Sequence, residues 1–213
     1  MKHPDARLIV FAKAPEPGRA KTRLIPALGA AGAAALHTRL VEHTLTTVTS
    51  AALCPVQLWC APDTDHPFFD ACHQRFAVTL HPQQGTDLGE RMAHAMLHNL
   101  QQGYNSIIIG TDCPALSATN FEQAFTLLQG NNDVVLGPAD DGGYVLMGLK
   151  RFSAELFSNI RWGTCEVLET TRERIDKLQW SLTELGTFQD IDRPEDLPAA
   201  EHMPGHTRVH TTF

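Results

Sequence analysis

Basic side chains are concentrated in residues 13–24, a segment rich in proline and glycine. It follows an apolar run that predicts a buried strand, and lysine or arginine at the end of a strand is suited to binding phosphate oxygens. The amide groups of a following helix would add positive partial charge. The residues predicted to bind a phosphate-bearing cofactor are Lys13, Pro15, Gly18, Arg19, Lys21 and Arg23. The alternative is a solvated basic loop, and the spacing differs from that of a P-loop.

A carboxylate follows the most apolar of the predicted strands. Asp112 comes directly after residues 106–110, which read Ser-Ile-Ile-Ile-Gly, and a charge in such a place is costly unless it has a partner. Mg²⁺ takes one or two carboxylates and completes its shell with water and phosphate oxygens. Asp112 is therefore predicted to hold a divalent metal opposite the basic segment. The alternative is that it caps the turn before Pro114.

Two further acidic segments lie later in the chain. Asp141, Gly142 and Gly143 either form a plain hairpin turn or let an acceptor approach the backbone while Asp141 binds its hydroxyls. Asp190 and Asp192 point the same way if the chain is extended there, so one of them is predicted to complete the metal shell. The alternative is a helix start rich in acidic residues, which the helix dipole favours.

Two other loops carry weaker signals. Residues 85–92 open a predicted helix. Thr86 or Asp87 as the helix cap, with Glu90 as its reciprocal partner, accounts for most residues of that segment without a ligand. Gly89 and Arg91 remain as candidates to approach a base or a phosphate. In residues 161–164 a cation lies next to Trp162, and packing at the surface is the favoured interpretation there.

Histidine and cysteine patterns do not indicate a second chemistry. Three histidines near the carboxyl end are spaced by four residues: His202, His206 and His210. Pro204 and Gly205 interrupt any helix between them, so a frayed polar tail is predicted rather than a metal site. The chain contains no Gly-x-Ser-x-Gly elbow, and the charge of Asp112 beside Cys113 disfavours a nucleophilic thiolate.

The composition disfavours several classes of protein. The 213 residues are 43% hydrophobic and 19% charged, which is typical of one globular domain and not of a disordered or fibrous chain. The formal net charge of −7 disfavours a general nucleic-acid binder, which needs a basic face. No apolar run suggests a signal core or membrane span, and the five scattered cysteines suggest no disulfide scaffold. We expect a cytoplasmic protein without nucleic-acid or membrane partners; no pattern indicates the oligomeric state.

Short apolar segments alternate with helical patterns along the chain. Strands are predicted at residues 7–13, 56–61, 76–80, 106–110, 133–136, 144–149 and 180–185. Helices are predicted at residues 27–49 and 87–102, after a Ser117 cap to about residue 129, and after a Thr164 cap to about residue 178. One domain is predicted over residues 1–197, followed by a loose tail over residues 198–213.

This alternation predicts an α/β domain with a mostly parallel sheet. Ligands of such sheets bind outside the carboxyl ends of the strands. The loops after Lys13, Gly110 and Leu136 are therefore expected to face one common cleft, in which the basic segment and Asp112 converge.

Several motifs together resemble a bacterial family of glycosyltransferase-like proteins with the nucleotide-diphospho-sugar transferase (GT-A) fold, associated with radical-SAM and selenodomain proteins. The motifs are Phe11-x-Lys13-x-Pro15-x-Pro17-Gly18-x-x-Lys21-Thr22-Arg23-Leu24, Gly85-x-x-Leu88-Gly89-Glu90-Arg91-Met92, Gly110-Thr111-Asp112-Cys113-Pro114 and Asp141-Gly142-Gly143-Tyr144. The stretch Asp190-Ile191-Asp192-Arg193-Pro194-Glu195-Asp196-Leu197 is similar to the closing Asp-Thr-Pro-Glu-Asp stretch of related nucleotidyltransferases. The matches cover roughly residues 7–197.

The resemblance implies a Rossmann-like three-layer α/β/α sandwich that binds a nucleotide across the first loop, with Mg²⁺ or Mn²⁺ held by Asp112. It implies a metal-dependent glycosyl- or nucleotidyltransferase that moves a group from a nucleotide-linked donor to an unknown small acceptor, with Asp112, Lys21 and Asp141 as catalytic residues. The Gly-Gly leader of nucleotidyltransferases and the Asp-x-Asp of many glycosyltransferases are both absent. The alternative is therefore a non-catalytic module of the same fold that binds nucleotides or NDP-sugars.

Overall fold

The computed structural model describes residues 1–200, whose centre is a single seven-stranded sheet. The strands are β1 (Ala6–Lys13), β2 (Val56–Ala61), β3 (Thr79–Pro82), β4 (Asn105–Ile109), β5 (Val134–Pro138), β6 (Tyr144–Leu149) and β7 (Leu182–Glu184). Their order in the sheet is β3-β2-β1-β4-β6-β5-β7. Only β6 runs antiparallel to its neighbours among the strands of this described part. The mostly parallel α/β sheet expected from the sequence is confirmed.

Helices cover both faces of the sheet. They are α1 (Ile25–Ser50), α2 (Pro67–Phe76), α3 (Leu88–Leu100), α4 (Ala118–Gln129), α5 (Val167–Lys177) and α6 (Leu197–Ala200). Alternate residues of a strand point to opposite faces, so Leu8 packs with α1, α2 and α4, whereas Ile9 packs with α3 and α5. The predicted three-layer sandwich follows from these two apolar clusters.

The long first helix is interrupted near its start. Gly29 has φ 69° and ψ 166°, which are not helical, and glycine adopts such angles without the strain that a Cβ would bring. By length and composition alone, Thr22–Ser50 could cross a membrane, although no continuous apolar run in the sequence suggests a span. Leu40 and Leu45 of this helix are fully buried in the domain.

Two parts of the chain differ from the predicted elements. The α2 helix is absent from the prediction, and the third strand begins at Thr79 rather than at Phe76, which ends α2. The first residues of the predicted tail, 198–200, lie in α6 (Leu197–Ala200), and Ala200 is buried. The three tail histidines lie outside the described residues.

Candidate functional site

A cleft of about 570 Å³ lies at the carboxyl edge of the sheet. The strands β1, β4 and β5 end at this edge, and the antiparallel β6 begins there. Arg19, Asp112 and Ala139, from the loops after β1, β4 and β5, all line the cleft. The expectation that these three loops face one common cleft is therefore confirmed.

Lys21 and Asp112 meet in this cleft. The Lys21 Nζ lies 3.0 Å from Asp112 Oδ2 and 3.9 Å from Asp192 Oδ1, and it also donates to the backbone carbonyl of Ile191. Only 3% of the Lys21 side chain is exposed, compared with 44% of the Asp112 side chain. The structure thus brings the basic segment and residue 112 into direct contact.

Local backbone geometry sets up this contact. Lys21 has φ 49° and ψ 46°, in the left-handed region, and immediately precedes a 3₁₀ turn at Thr22–Leu24. Leu24 is buried in a small apolar cluster with Ile191, and the Ile191 N–H donates to the Asp112 carbonyl at 2.8 Å. Backbone hydrogen bonding and apolar packing therefore hold the segments around residues 21, 112 and 191 together.

Two arginines of the basic segment line the cleft and reach solvent. Arg19 pairs with Glu16 at 2.9 Å and keeps 77% of its side chain exposed. Arg23 is bound to Asp192 and keeps 57% exposed; the hydrogen bond to that carboxylate raises the pKa of Arg23. Both guanidinium groups remain charged and accessible to an anion that enters the cleft.

Carboxylates crowd the wall around Asp112. Burial, together with the negative charges of Asp141 and Asp112, raises the pKa of Asp190 to about 6. Within residues 1–200, no three histidine, cysteine, aspartate or glutamate side chains are arranged to hold a metal ion. The predicted metal residues all line the cleft: Asp112, Asp190 and Asp192. Asp192, however, is occupied by Arg23.

The cleft residues that were not predicted from the sequence include His37 and Gln83. The His37 Nε2 is 3.0 Å from the Lys13 carbonyl, and burial lowers the pKa of His37. Gln83 donates from Nε2 to the Trp59 carbonyl at 2.8 Å. The available signal was a histidine on the apolar face of α1, whereas Gln83 follows a strand that was predicted out of place.

Apolar and aromatic side chains form another wall of the cleft. Phe11, Met92, Tyr144 and Trp162 contribute to it. The rings of Tyr144 and Trp162 are 6.4 Å apart and cross at 83°. Packing at the surface is the interpretation favoured for residues 161–164, and Trp162 is half-buried in this wall, with its ring against Tyr144.

Two of the glycines that are predicted to approach a ligand, Gly89 and Gly142, lie against other parts of the protein. A Cβ on Gly89 would lie 2.4 Å from the Phe157 carbonyl oxygen and 2.6 Å from Trp162 Nε1. A Cβ on Gly142 would lie 2.3 Å from the Cys165 carbonyl oxygen. Each of these glycines therefore permits close packing within the protein.

The remaining candidate residues are divided between the cleft and its surroundings. Gly143 lines the cleft, and its N–H donates to Asp141 Oδ1 at 2.9 Å within the turn that joins β5 and β6. Arg91 donates from Nε to the Gly85 carbonyl at 3.0 Å. Among the candidate site residues, those outside the cleft lining are Pro15, Gly18, Gly89, Arg91 and Gly142.

Cys113 lines the cleft as a buried thiol. Burial raises its pKa to about 11, so the thiolate is scarce near neutral pH. This agrees with the expectation that Cys113 is not a nucleophile.

Comparisons with known proteins agree on the architecture. A nucleotide-diphospho-sugar transferase described as "putative", from Desulfovibrio desulfuricans G20, is 30% identical with a TM-score of 0.84, and the match covers 96% of this chain and 91% of that chain. The inositol-1-phosphate CTP transferase from T. maritima is 11% identical with a TM-score of 0.59, covering 94% of this chain and 96% of that chain.

A glycosyl-transferring relative of the same fold has been solved with its ligands. Glucosyl-3-phosphoglycerate synthase from Mycobacterium tuberculosis, in complex with Mn²⁺, UDP and glucosyl-3-phosphoglycerate, is 10% identical with a TM-score of 0.55. The match covers 91% of this chain and 74% of that chain. At such low identity these two distant likenesses show the fold alone.

A search of curated proteins finds no match. A protein family described as "Uncharacterized protein conserved in bacteria (DUF2064)" matches residues 44–164, more than half of the chain. The chain therefore belongs to the DUF2064 family, and its fold is that of the nucleotide-diphospho-sugar transferases.

Proposed function

We propose that the protein is a transferase that takes a glycosyl or nucleotidyl group from a nucleotide-linked donor and passes it to a small acceptor. The observation that carries the proposal is the contact of Lys21 with Asp112 inside a cleft at the carboxyl edge of the sheet. Ligands of open α/β sheets bind at this edge. The structural relatives named with CTP and UDP support a nucleotide as the donor.

The two kinds of wall divide the cleft into regions for different parts of a donor. Phe11, Met92 and Trp162 offer an apolar surface to a base or sugar, because the faces of such rings stack on aromatic side chains. Arg19 and Arg23 offer charge-assisted hydrogen bonds to phosphate oxygens. Together they fit a ligand with one flat apolar end and one polyanionic end.

In group transfer from a nucleotide, negative charge builds up on the departing phosphate. The protein contributes mainly by holding the reactants in place and by setting fixed positive charge near the developing negative charge. Lys13, Arg19 and Arg23 supply that charge at the cleft. Asp141, at the turn between β5 and β6, is our candidate to bind a hydroxyl of the acceptor.

The carboxylates of the cleft fit a divalent cation that binds together with the phosphates of the nucleotide. Asp112 and Asp190 are the two carboxylates that would hold Mg²⁺ or Mn²⁺. Burial and then repulsion from Asp141 and Asp112 raise the pKa of Asp190, and a cation would relieve the repulsion. Mg²⁺ needs only one or two carboxylates when phosphates complete its shell. When bound, the metal would neutralise charge on the phosphate oxygens.

Nucleotide binding tests the proposal directly. We expect CTP, UTP or UDP-sugars to raise the melting temperature in the presence of Mg²⁺, and Asp112→Asn to remove the metal-dependent part of that rise. Asp176→Asn, the same change at an exposed position of α5, is the matched control. Arg23→Ala should weaken binding by about 1–3 kcal/mol, as expected for a charge-assisted hydrogen bond.

The outcome separates the enzyme from the binding module. Transfer to an acceptor, followed as loss of the donor and release of its nucleotide, supports a transferase. Tight binding of a donor without turnover across an acceptor panel would favour a non-catalytic module. A folded protein that binds none of these nucleotides would contradict both.

A further inference from the structure

The ammonium group of Lys21 is already engaged within the protein. Its Nζ contacts Asp112 Oδ2 at 3.0 Å and donates to the Ile191 carbonyl, while Asp192 Oδ1 lies 3.9 Å away. An ammonium has three protons to donate, and only 3% of this side chain is exposed. In this state Lys21 acts on the protein's own carboxylates and not on a ligand.

The contact with Lys21 makes Asp112 a poorer ligand for a metal ion. A carboxylate oxygen that is paired with an ammonium at 3.0 Å is a poorer ligand for a metal ion, because the metal and the ammonium repel each other. Removing the Asp112 carboxylate would leave the buried ammonium of Lys21 with only the Ile191 carbonyl and the more distant Asp192 carboxylate, which is unfavourable for a buried charge. Lys21 can release Asp112 only when another anion replaces it, and a diphosphate is such an anion.

We propose that Lys21 is an internal counter-cation that couples the two ligands of the cleft. It withholds Asp112 from divalent metal in the free protein, and it moves to a phosphate of the donor when a nucleotide binds. Metal and nucleotide then bind cooperatively, each raising the affinity for the other by the same factor. The cooperative part rests on the proposed function, whereas the withholding of Asp112 does not.

The surrounding charges favour this role for Lys21. Asp112 and Asp141 both lie close enough to Asp190 for their charges to interact with it, and Arg23 is bound to Asp192. Lys21 is therefore the cation in direct contact with Asp112. If the ammonium is removed, the neighbouring carboxylates lose a positive charge that a divalent ion can replace.

Mn²⁺ binding without any nucleotide tests the withholding of Asp112. The experiment follows the signal of free Mn²⁺ by electron paramagnetic resonance during titration of the full chain. We expect Lys21→Met to bind Mn²⁺ at least about tenfold more tightly than the wild type, and Lys21→Met combined with Asp112→Asn to lose that gain. Lys2→Met is the matched control, because Lys2 pairs with the exposed Glu122, and it should leave Mn²⁺ affinity unchanged.

The coupling between metal and nucleotide provides a second measurement. We expect the Mn²⁺ affinity of the wild type to rise by about 5–150-fold in the presence of saturating CTP or UDP, and this factor to shrink towards one in Lys21→Met. Equal Mn²⁺ affinity of folded wild type and Lys21→Met would overturn the inference, as would bound nucleotide without coupling. If no nucleotide binds, the proposed function fails, while the titration with Mn²⁺ alone still decides whether Lys21 withholds Asp112.

Discussion

Asp190 lies half-buried beside two other acidic side chains, and this environment lowers the stability of the folded protein at neutral pH. Its pKa is raised to about 6, first by burial and then by Asp141 and Asp112, whereas an unfolded aspartate titrates near about 3.9. The folded protein therefore holds this proton more tightly than the unfolded chain. The associated stabilisation is complete below about pH 4 and is lost as the pH rises through about 6.

Asp190→Asn removes this titration, so we expect it to stabilise the free protein at about pH 8. The gain should be about 1–2 kcal/mol once solvent screening of a half-exposed group is allowed for. Urea unfolding of both proteins at several pH values measures the difference. Asp176→Asn on exposed α5 controls for the change in net charge. A stability difference that stays constant from about pH 4 to about pH 8 would show that the Asp190 carboxyl is not perturbed.

Side chains that follow parallel strands could be assigned to the site from the sequence alone. Lys13 and Asp112 end up at one edge because the topology gathers the carboxyl ends of such strands. His37 could not be assigned in this way, since it reaches the cleft from the middle of a helix and contacts a backbone carbonyl. The Lys21 contact with Asp112 was hidden as well, because it depends on a left-handed backbone at Lys21.

The turn between β5 and β6 depends on a close approach of two backbones. Gly142 has φ +87°, and a Cβ there would lie 2.3 Å from the Cys165 carbonyl oxygen. Gly18 has a similar φ of +84° but has nothing within 4 Å of its Cβ position. A residue with a Cβ would be strained by the left-handed backbone at either position. Only at Gly142 would its Cβ also clash with the protein.

We therefore expect Gly142→Ala to be considerably more destabilising than Gly18→Ala. The left-handed backbone costs an alanine about 1–2 kcal/mol at either position, and the clash should add about 1–3 kcal/mol at Gly142 only. Urea unfolding at one temperature gives both values. Equal losses of stability in the two variants would mean that the segment around Cys165 can shift away freely.

Elements with a clear apolar pattern were predicted close to their observed bounds. The strands Val56–Ala61 and Tyr144–Leu149 match their predicted residues, because continuous apolar runs are typical of strands buried on both faces. The α2 helix was missed because its last residue, Phe76, continues into Val78 and looks like a short apolar strand. Periodicity cannot separate a helix end from a strand over so few residues.

At the scale of the whole molecule, residues far apart in the sequence pack against each other and stabilise the fold. Besides the two large clusters on the faces of the sheet, a third cluster joins Leu24, Leu36 and Leu40 to Ile191. The Ile191 backbone also connects the cleft segments, since its N–H donates to Asp112 and its carbonyl accepts from Lys21. Packing in this small cluster therefore positions the charges of the cleft.

This arrangement predicts that Ile191→Ala impairs both stability and binding. Ile191 is fully buried, so we expect a loss of about 2–5 kcal/mol in unfolding free energy, together with weaker nucleotide binding because the acceptor of Lys21 shifts. Ile175→Ala is the control, since Ile175 lies on the buried face of α5, in another apolar cluster. It should lose similar stability in urea while the folded fraction keeps wild-type affinity in calorimetric titration. Equal affinity in both variants would show that the third cluster stabilises the fold without positioning the cleft.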